Sequence, residues 1–371
     1  RWSAAEQTQA RQNRYGKTGM SEIPTIVLGG TGYVAGELLR LLAQHPSLKL
    51  KAAVSTTRAG KTISEAFRHL GPAYGEQCFI SPEQAIRGLR EAPHWAVISA
   101  APHGASAALV NEILSEAEST GINVNVVDTS ADFRFADPEK FSDIYGQAHS
   151  APGRLNQFRC AVPEHLKKID TPHAAQPGCF ATAMLLAIVP LAAKGLTDND
   201  FFVSAVTGST GAGRSPRETT HHPVRHSNLF AYQPLVHRHD PEVRALTLEA
   251  TGQKIGLHFV PHSGPFSRGI HATIFARCKE RLTGAQLTEM LSDFYADCGL
   301  VCVEPSPPRM KNIAGSNYAV LSANADKETA VIYCVLDNLL KGAASGAIQW
   351  ANRLLGKPEE EGLNIAPPGW I

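Results

Sequence analysis

The sequence predicts an α/β protein whose first part is a doubly wound parallel sheet and whose second part is an α+β unit with a largely antiparallel mixed sheet. In the first part, short apolar runs rich in β-branched residues alternate with helical patterns. Such alternation places parallel strands in one sheet with helices on its faces. From about Phe201 onward, strand-like runs follow one another with few helices between them, and this pattern favours an antiparallel sheet.

The parallel part begins with the run PTIVL, which ends in the glycine-rich segment GGTG. The next segment, YVAGELLRLLAQHP, has apolar residues at helical spacing and ends at Pro46. The remaining elements of this part are strands over 48–55, 94–100 and 122–128 and a helix over 105–118.

The second part contains further strand-like runs and two helical segments. Its strands are predicted over 201–207, 243–250, 255–261, 269–278 and 330–336. A helix over 283–299 is expected to pack on this sheet, and a last amphipathic helix covers 337–356.

The bulk composition excludes several classes of protein. A net charge of +1 over 371 residues offers no basic surface for nucleic acid or an anionic membrane. The apolar run from Phe180 to Ala193 is too short to span a bilayer and contains Pro190. Seven cysteines without paired spacing favour reduced thiols, which predicts a cytoplasmic protein.

Residues 1–19 are polar and lack the apolar centre of a secretory signal. We interpret them as a disordered extension or a remnant of expression. A transit-peptide remnant is the alternative, because basic residues outnumber acidic ones in this segment. The folded part of the chain is expected to begin at about Met20.

The glycine-rich turn after the first strand predicts a dinucleotide site and hence a Rossmann-type sheet. Gly30, Thr31 and Gly32 lie between this strand and the next helix, and Ala35 takes the place of a third small residue. Small residues allow backbone N–H groups at the start of the helix to approach a phosphate. The pattern alone is a weak signal, and its position in a βαβ unit strengthens it.

The end of the second strand distinguishes between the two nicotinamide cofactors. An NAD site has an acidic residue there to bind the ribose hydroxyls, whereas this chain has Ser55, Thr56 and Arg58. Hydroxyl groups and a guanidinium suit the 2′-phosphate of NADP, so NADP(H) is the predicted cofactor. A solvated basic loop is the alternative interpretation of these residues.

Cys179 follows Pro177-Gly178 and precedes an apolar helical run. At a helix N-terminus, unpaired N–H groups and the helix dipole stabilise a thiolate. Gly178 is expected to permit an unusual backbone and to leave space beside the sulfur. A buried structural cysteine is the alternative, and the other six cysteines fit it because they lie in strand-like runs or lack such a turn. A dinucleotide domain followed by a nucleophilic cysteine predicts reduction of an acyl group through a thioester.

Histidine offers the acid/base group that such chemistry requires. His237 and His239 flank Arg238 just before Asp-Pro-Glu, a helix-start signal. Two histidines at i, i+2 are also compatible with metal binding, but no further ligand motif accompanies them, so no metal site is predicted. His103 follows a parallel strand near the edge where such sheets bind ligands, so it is expected to line the cofactor pocket. The histidines of HHPVRH are interpreted as a solvated loop.

Taken together, these segments resemble the N-acetyl-γ-glutamyl-phosphate reductases, the arginine-pathway branch of the semialdehyde dehydrogenase superfamily. The resemblance rests on motifs that occur in one order from about Ile23 onward: GGTGY, SADFR, QPGCFAT, GSTGAGR, HRHDPE, PHSGPFSRGI, KNIAGSNY and DNLLKGAA. It implies NADPH-dependent reduction of N-acetyl-γ-glutamyl phosphate to N-acetylglutamate 5-semialdehyde and phosphate. It also implies that the C-terminal helix returns to the cofactor domain.

The resemblance assigns roles by position. Cys179 matches the family's nucleophile, His237 its acid/base, and Asn338 a contact to the nicotinamide amide. The expected cofactor contacts are Gly29, Gly30, Thr31, Gly32, Tyr33, Val34, Ser55, Thr56, Arg58, Pro102, Gly211, Gly213 and Asn338. The expected substrate contacts are Arg134, Arg214, His239 and Arg268. The arginine that grips the substrate is left open among Arg134, Arg214, Arg238 and Arg268.

Departures from the family pattern leave the acyl substrate open. Gln176, Phe180 and Ala181 replace the usual Asn, Tyr and Pro around the cysteine. The nearest alternatives are aspartate-semialdehyde dehydrogenase, which typically has Asn directly before its cysteine, and the lysine-pathway reductase for a carrier-bound aminoadipyl phosphate. A non-catalytic NADP-binding sensor is an alternative of a different class, and it leaves QPGC and the histidine cluster unexplained.

The predicted domains are 20–178 with 336–371 for NADP binding, and 179–335 for catalysis, substrate binding and oligomerisation. The expected partners are a small-molecule acyl phosphate, inorganic phosphate and further copies of the chain in a dimer or tetramer. Neither nucleic acid nor a membrane is expected.

Overall fold

Two six-stranded sheets form the framework of the protein in a computed structural model that describes residues 22–369. The interpretation of residues 1–19 therefore lies outside the described residues. The strands are β1 (Ile23–Leu28), β2 (Leu48–Ala53), β3 (His94–Ser99), β4 (Asn123–Asp128), β5 (Phe158–Cys160), β6 (His173–Ala175), β7 (Thr197–Thr207), β8 (Phe230–Ala231), β9 (Gly256–Ser263), β10 (Ile270–Thr283), β11 (Val301–Val303) and β12 (Ala319–Leu336). The α-helices are α1 (Tyr33–Leu42), α2 (Ile63–Ala66), α3 (Gly71–Tyr74), α4 (Pro82–Gly88), α5 (Ser106–Thr120), α6 (Pro138–Tyr145), α7 (Cys179–Lys194), α8 (His222–Arg225), α9 (Asp240–Thr251), α10 (Gly284–Phe294) and α11 (Ser345–Leu354).

The first sheet is entirely parallel, with strand order β2-β1-β3-β4-β6-β5. Its central strands are apolar and almost wholly buried, so both faces need helices to cover them. One face packs against α1 and α11, and the other packs against α5. The predicted doubly wound parallel sheet is confirmed. β5 and β6 were not predicted, because strands of three residues are too short to show a pattern.

The second sheet is mixed, with strand order β11-β12-β10-β7-β9-β8. The pairs β12–β10, β10–β7 and β9–β8 are antiparallel, while β11–β12 and β7–β9 are parallel. Buried and exposed residues alternate along β7, so the helices α7, α9 and α10 cover one face only. The predicted largely antiparallel mixed sheet is confirmed.

The predicted strand over 243–250 is wrong, because this segment belongs to helix α9. Pro241 stands in the first turn of the helix, where its missing N–H costs no hydrogen bond. The buried residues Val243, Leu246 and Thr247 are three and four positions apart, which places them on one helical face.

Helix α7 is the central helix of the second unit. It is buried along nearly its whole length and packs on β7, β10, β12 and α9. The helix predicted after Cys179 continues through Pro190 to Lys194. The predicted helix over 337–356 instead begins with a π-helical turn, Leu340–Ala344, which leads into α11.

No helix within residues 22–369 combines the length and the apolarity needed to cross a membrane.

Candidate active site

Two adjoining cavities lie near the carboxyl edge of the parallel sheet. The first, of about 520 Å³, we call the loop cavity; its lining includes the predicted cofactor residues Gly29, Thr31, Gly32, Ser55, Thr56, Arg58 and Pro102. The second, of about 290 Å³, we call the cysteine cavity; its lining includes the predicted residues Gly32, Tyr33, Val34, Arg134, Cys179, Gly211, Gly213, Arg214, His237, His239 and Asn338. Gly32 and Arg214 line both cavities, so the two spaces meet at the glycine-rich turn.

The glycine-rich turn is shaped by close contacts with neighbouring backbone. Gly29 has φ +73, and a Cβ there would lie 2.4 Å from the Ala101 backbone. Gly32 caps α1 without a side-chain hydrogen bond, so the first N–H groups of the helix stay available to an anion. Gly30 lines neither cavity, and a Cβ there would lie 2.8 Å from the Phe79 ring, so this glycine makes room for the ring. Its contact to the cofactor stays a prediction.

The polar rim of the loop cavity carries positive charge. The Arg58 N–H donates to Ser55 Oγ at 3.2 Å, which fixes the turn after β2, and the Arg58 side chain is exposed. Arg214 also lines this cavity, and no carboxylate belongs to the lining formed by the described residues. Such a site favours a phosphate over the ribose hydroxyls of NAD.

Cys179 is the first residue of α7, with Gly178 as the N-cap. The backbone of Gly178 is ordinary (φ −61, ψ 154), so the expectation of an unusual backbone is wrong. Glycine is needed because a Cβ would lie 2.2 Å from His239 Nε2. On the other side, a Cβ on Gly342 of the π-helical turn would lie 2.8 Å from the Cys179 Cβ. Two glycines therefore make room for the cysteine between the histidine and the π-helical turn.

The electrostatics of Cys179 differ from the sequence-based expectation of a stabilised thiolate. Burial raises the pKa of the Cys179 thiol, and the Arg134 guanidinium and the Phe180 N–H oppose this rise only in part. The helix N-terminus thus acts as expected, but desolvation outweighs it. The free protein holds a protonated thiol at neutral pH, and a nearby base has to accept its proton.

The two histidines of HRHDPE stand side by side in this cavity, with ring centroids 4.7 Å apart. Burial and the Arg238 guanidinium lower the pKa of His237 to about 4, and burial with His237 lowers the pKa of His239 further. Both imidazoles are therefore neutral at pH 7. His237 Nδ1 accepts the His239 N–H at 3.2 Å, so His237 carries its proton on Nε2. His239 Nδ1 has no hydrogen-bond partner within residues 22–369, which leaves its tautomer free.

Beneath Cys179 lies a buried ion pair between Arg134, which was a predicted site residue, and Glu242, which was not. Glu242 Oε1 accepts the Gly178 N–H at 2.7 Å, and Oε2 accepts from Arg134 at 3.2 Å. Arg134 also donates to the carbonyl oxygens of Gln176 and Thr129 at 3.1 Å each. Arg134 thus lines the cavity as predicted, but its hydrogen bonds hold the cysteine turn. The position of Glu242 in HRHDPE was the only signal in the sequence.

The other two arginines expected to bind substrate have different places. Arg214 donates to the Thr31 carbonyl at 2.9 Å and the Ala66 carbonyl at 3.0 Å, so it spans the glycine-rich turn between the two cavities. Arg268 lines neither cavity and pairs with Asp337 at 3.0 Å and Glu37 at 2.7 Å. Two carboxylates neutralise its guanidinium, and its expected contact with substrate stays a prediction.

Asn338 lies on the wall of the cysteine cavity. Its Oδ1 accepts the Gly269 N–H at 2.7 Å, and its Nδ2 donates to Thr210 Oγ1 at 3.1 Å. One amide hydrogen remains for a ligand. Its contact to a nicotinamide amide stays a prediction.

Comparisons with known proteins agree with this architecture. The family model described as "Semialdehyde dehydrogenase, NAD binding domain" matches residues 25–179, and "Semialdehyde dehydrogenase, dimerisation domain" matches residues 179–338. The N-acetyl-gamma-glutamyl-phosphate reductase of Acidithiobacillus ferrooxidans is 36% identical over 91% of this chain and 96% of its own length. That of Rhodospirillum rubrum is 34% identical over 94% of this chain and 99% of its own length.

The chain belongs to the N-acetyl-γ-glutamyl-phosphate reductase family of semialdehyde dehydrogenases. It is therefore an oxidoreductase of the phosphorylating semialdehyde dehydrogenase type, as predicted.

Solved structures of semialdehyde dehydrogenases share the fold. Aspartate semialdehyde dehydrogenase II of Vibrio cholerae superposes with a TM-score of 0.66 at 15% identity, covering 91% of this chain and 99% of its own. The aspartate semialdehyde dehydrogenase of Candida albicans, whose structure was solved with NADP, has a TM-score of 0.61 at 15% identity, covering 91% and 99%. At these identities the likeness shows the shared fold and carries no information about the substrate.

Proposed function

We propose that this member of the reductase family reduces N-acetyl-γ-glutamyl phosphate to N-acetylglutamate 5-semialdehyde and phosphate with NADPH, in arginine biosynthesis. The observation that carries the proposal is a cavity that holds Cys179 and two neutral imidazoles and opens at Gly32 into the loop cavity. A thiol, proton-transfer groups and a nucleotide site thereby surround one space.

The first half of the reaction forms a thioester on Cys179. His239 accepts the thiol proton as Sγ forms a bond to the γ-carbonyl carbon of the acyl phosphate. The bond from this carbon to the phosphate oxygen then breaks, and phosphate leaves with the electron pair and the proton. Glu242 supports the step by holding the Gly178 N–H at 2.7 Å, which fixes the turn that carries the sulfur.

The second half returns the acyl group as an aldehyde. When bound, NADPH supplies a hydride, and a thioester is electrophilic enough to accept it whereas a carboxylate is not. His237 Nε2–H donates a hydrogen bond to the carbonyl oxygen as this oxygen gains negative charge, and the tetrahedral oxyanion re-forms the carbonyl as the carbon–sulfur bond breaks. Because its Nδ1 accepts a backbone N–H and the ring is neutral, His237 acts here as a hydrogen-bond donor in place of the predicted acid/base. The released thiolate then takes a proton from solvent.

The residues around the loop cavity fit a bound NADP. Gly29 and Gly32 allow close backbone approach at the N-terminus of α1. Arg58 and Arg214 offer positive charge to phosphate groups. Asn338 and Gly211 lie in the cysteine cavity, where the reactive ring has to stand next to the sulfur.

The test of the proposed function is phosphate-dependent reduction of NADP with N-acetylglutamate semialdehyde beside aspartate semialdehyde. We expect turnover with the N-acetylated substrate and little with aspartate semialdehyde. A preference for aspartate semialdehyde would favour the competing enzyme. NADP binding without turnover of either compound would favour the sensor.

For the cofactor, we expect Arg58→Glu to raise the KM for NADP by about tenfold or more, because a carboxylate there repels the 2′-phosphate. The KM for NAD should change little, since NAD lacks that phosphate. Steady-state kinetics with both cofactors measures the ratio. Equal efficiency with NAD and NADP in the unmodified protein would contradict the assignment.

For His237, we expect His237→Asn to lower kcat by about 10²-fold or more, because the shorter side chain places no N–H donor where Nε2–H meets the developing oxyanion. His239→Asn is the matched comparison at the other histidine. His239→Asn should lower turnover as well, because the thiol then lacks its base, whereas a His237→Asn variant with an unchanged kcat would contradict the role given to His237.

We also propose a division into a cofactor domain, 20–178 with 336–371, and a catalytic domain, 179–335. The packing of α11 on β3, β4 and β6 supports it. A homodimer or homotetramer is proposed because the open face of the second sheet exposes two neighbouring aromatic side chains: Phe202 is 54% exposed, and its cross-strand neighbour Phe275 is 43% exposed. A cytoplasmic location is proposed from the unpaired cysteines.

A further inference from the structure

His103 is a cavity residue to which the mechanism above gives no role. The sequence placed it in the cofactor pocket, yet the structure places it in the lining of the cysteine cavity and outside that of the loop cavity. It lines the same space as Cys179, so it forms part of the wall around a substrate bound there.

The segment Ser130–Arg134 holds the His103 ring in a single orientation. The Ala131 N–H donates to His103 Nδ1 at 2.8 Å. The Asp132 carboxylate accepts the Gly104 N–H at 2.8 Å and the Ala107 N–H at 2.9 Å, which fixes the turn on the other side of the histidine. Two motifs of the sequence, PHGAS and SADFR, thus form one structural unit.

This contact decides which nitrogen of His103 carries the proton. Because Nδ1 accepts a backbone N–H, the neutral ring has its hydrogen on Nε2. Nε2 has no hydrogen-bond partner among residues 22–369. Burial, with Arg134 and Arg238, lowers the pKa of His103 to about 3, so the free protein holds a neutral ring. His103 offers the cavity a fixed N–H donor and no proton to transfer.

We propose that His103 binds the phosphoryl group of the substrate, donating its Nε2–H to a phosphoryl oxygen. The proposal rests on the proposed function and adds a residue to its substrate site. His103 is a binding residue in this scheme, the thiol proton is transferred through His239, and His237 donates to the carbonyl oxygen.

The choice of the phosphoryl group over the substrate's carboxylate follows from the charges near the sulfur. Arg134 and Arg238 line the cysteine cavity together with Cys179 and His103, and because Glu242 already pairs with Arg134, it is Arg238 that contributes unpaired positive charge to this space. Arg238 is exposed, lines the cavity and makes no ion pair with the described residues. The phosphoryl group is attached to the carbon that the sulfur attacks, whereas the α-carboxylate lies several bonds away. The anion beside Cys179 is therefore the phosphoryl group.

A pair of substitutions separates this role from a structural one. In His103→Asn the amide oxygen can replace Nδ1 as acceptor for Ala131, but no donor reaches the Nε2 position. In His103→Gln the amide N–H can reach the Nε2 position, but the acceptor for Ala131 is lost. His222→Gln is the control, because His222 is an exposed histidine outside the lining of both cavities.

The assay is phosphate-dependent NADP reduction with N-acetylglutamate semialdehyde. The KM for inorganic phosphate is measured separately from the KM for NADP and the KM for the semialdehyde. We expect His103→Asn to raise the phosphate KM by about 10- to 100-fold, the loss of one hydrogen bond to a charged acceptor. His103→Gln should retain most of the phosphate affinity. The KM values for NADP and semialdehyde should stay unchanged in both variants, as should all three in the control.

Other results overturn the proposal. If His103→Gln raises the phosphate KM more than His103→Asn does, His103 has a structural role. If the variants raise the KM for NADP, His103 contacts the cofactor. A lower kcat with an unchanged phosphate KM assigns its N–H to the carbonyl oxygen.

Binding of inorganic phosphate alone gives a second readout that does not need turnover. Phosphate should slow alkylation of Cys179 by iodoacetamide in the unmodified protein and in His103→Gln, but not in His103→Asn. Equal protection in all three overturns the proposal. Absence of turnover with a normal protection pattern would instead contradict the proposed function.

Discussion

Replacing Cys179 by alanine is expected to lower turnover by about 10⁴-fold or more while leaving NADP binding close to that of the unmodified protein. The thioester cannot form without the sulfur, and Cys179 lines the cysteine cavity and not the loop cavity. Cys179→Ser should retain little activity, because a serine hydroxyl ionises far less than a thiol and the buried site already disfavours the anion. Steady-state kinetics and NADP titration measure the two effects.

The control is Cys302→Ala, because Cys302 is exposed in β11 and lines neither cavity. This variant should keep its turnover. A Cys179→Ala variant that still reduced NADP with semialdehyde and phosphate would show that the thiol is structural. A variant that lost NADP binding as well would point to a collapsed site, and the test would then rest on Cys179→Ser.

Replacing Glu242 by glutamine is expected to lower the free energy of unfolding by about 3–5 kcal/mol and to reduce kcat as well. Glu242 is fully buried between the Gly178 N–H and Arg134. A glutamine amide has one acceptor oxygen, so it can serve the glycine N–H or the arginine but not both, and the buried guanidinium loses its counter-charge. Denaturant unfolding measures the loss of stability, and steady-state kinetics measures the loss of kcat that a displaced cysteine turn causes.

The matched control lies on the same helix. Glu249 is exposed and pairs with Arg159 at the surface, so Glu249→Gln is expected to cost only about 0–1 kcal/mol. Equal losses in the two variants would mean that the Arg134–Glu242 pair does not support the turn. A destabilised Glu242→Gln protein with unchanged kcat would restrict its role to folding.

Local signals in the sequence were sufficient for the elements that they describe. The apolar run Ile23–Leu28, the glycine-rich turn and the helix after Cys179 each depend on neighbours within a few positions, and each was predicted where it lies. The prediction of a strand over 243–250 was wrong for the opposite reason. Its alternating apolar residues fit a strand, while the helix start at Asp240-Pro241 and packing against α7 decided for a helix.

The sequence by itself determined the fold class, the family, the cysteine and the histidine pair of this protein, because each follows from residue types at short spacing. Only the tertiary structure decided what surrounds them. It paired Arg268 with Glu37, 231 positions away, outside the lining of both cavities. It brought Glu242 to Gly178 across 64 positions and filled the space above that glycine with the His239 ring. The charge state of a thiol and the ion-pair partner of a guanidinium depend on burial and on residues distant in the chain, so neither can be predicted from the neighbouring residues in the sequence.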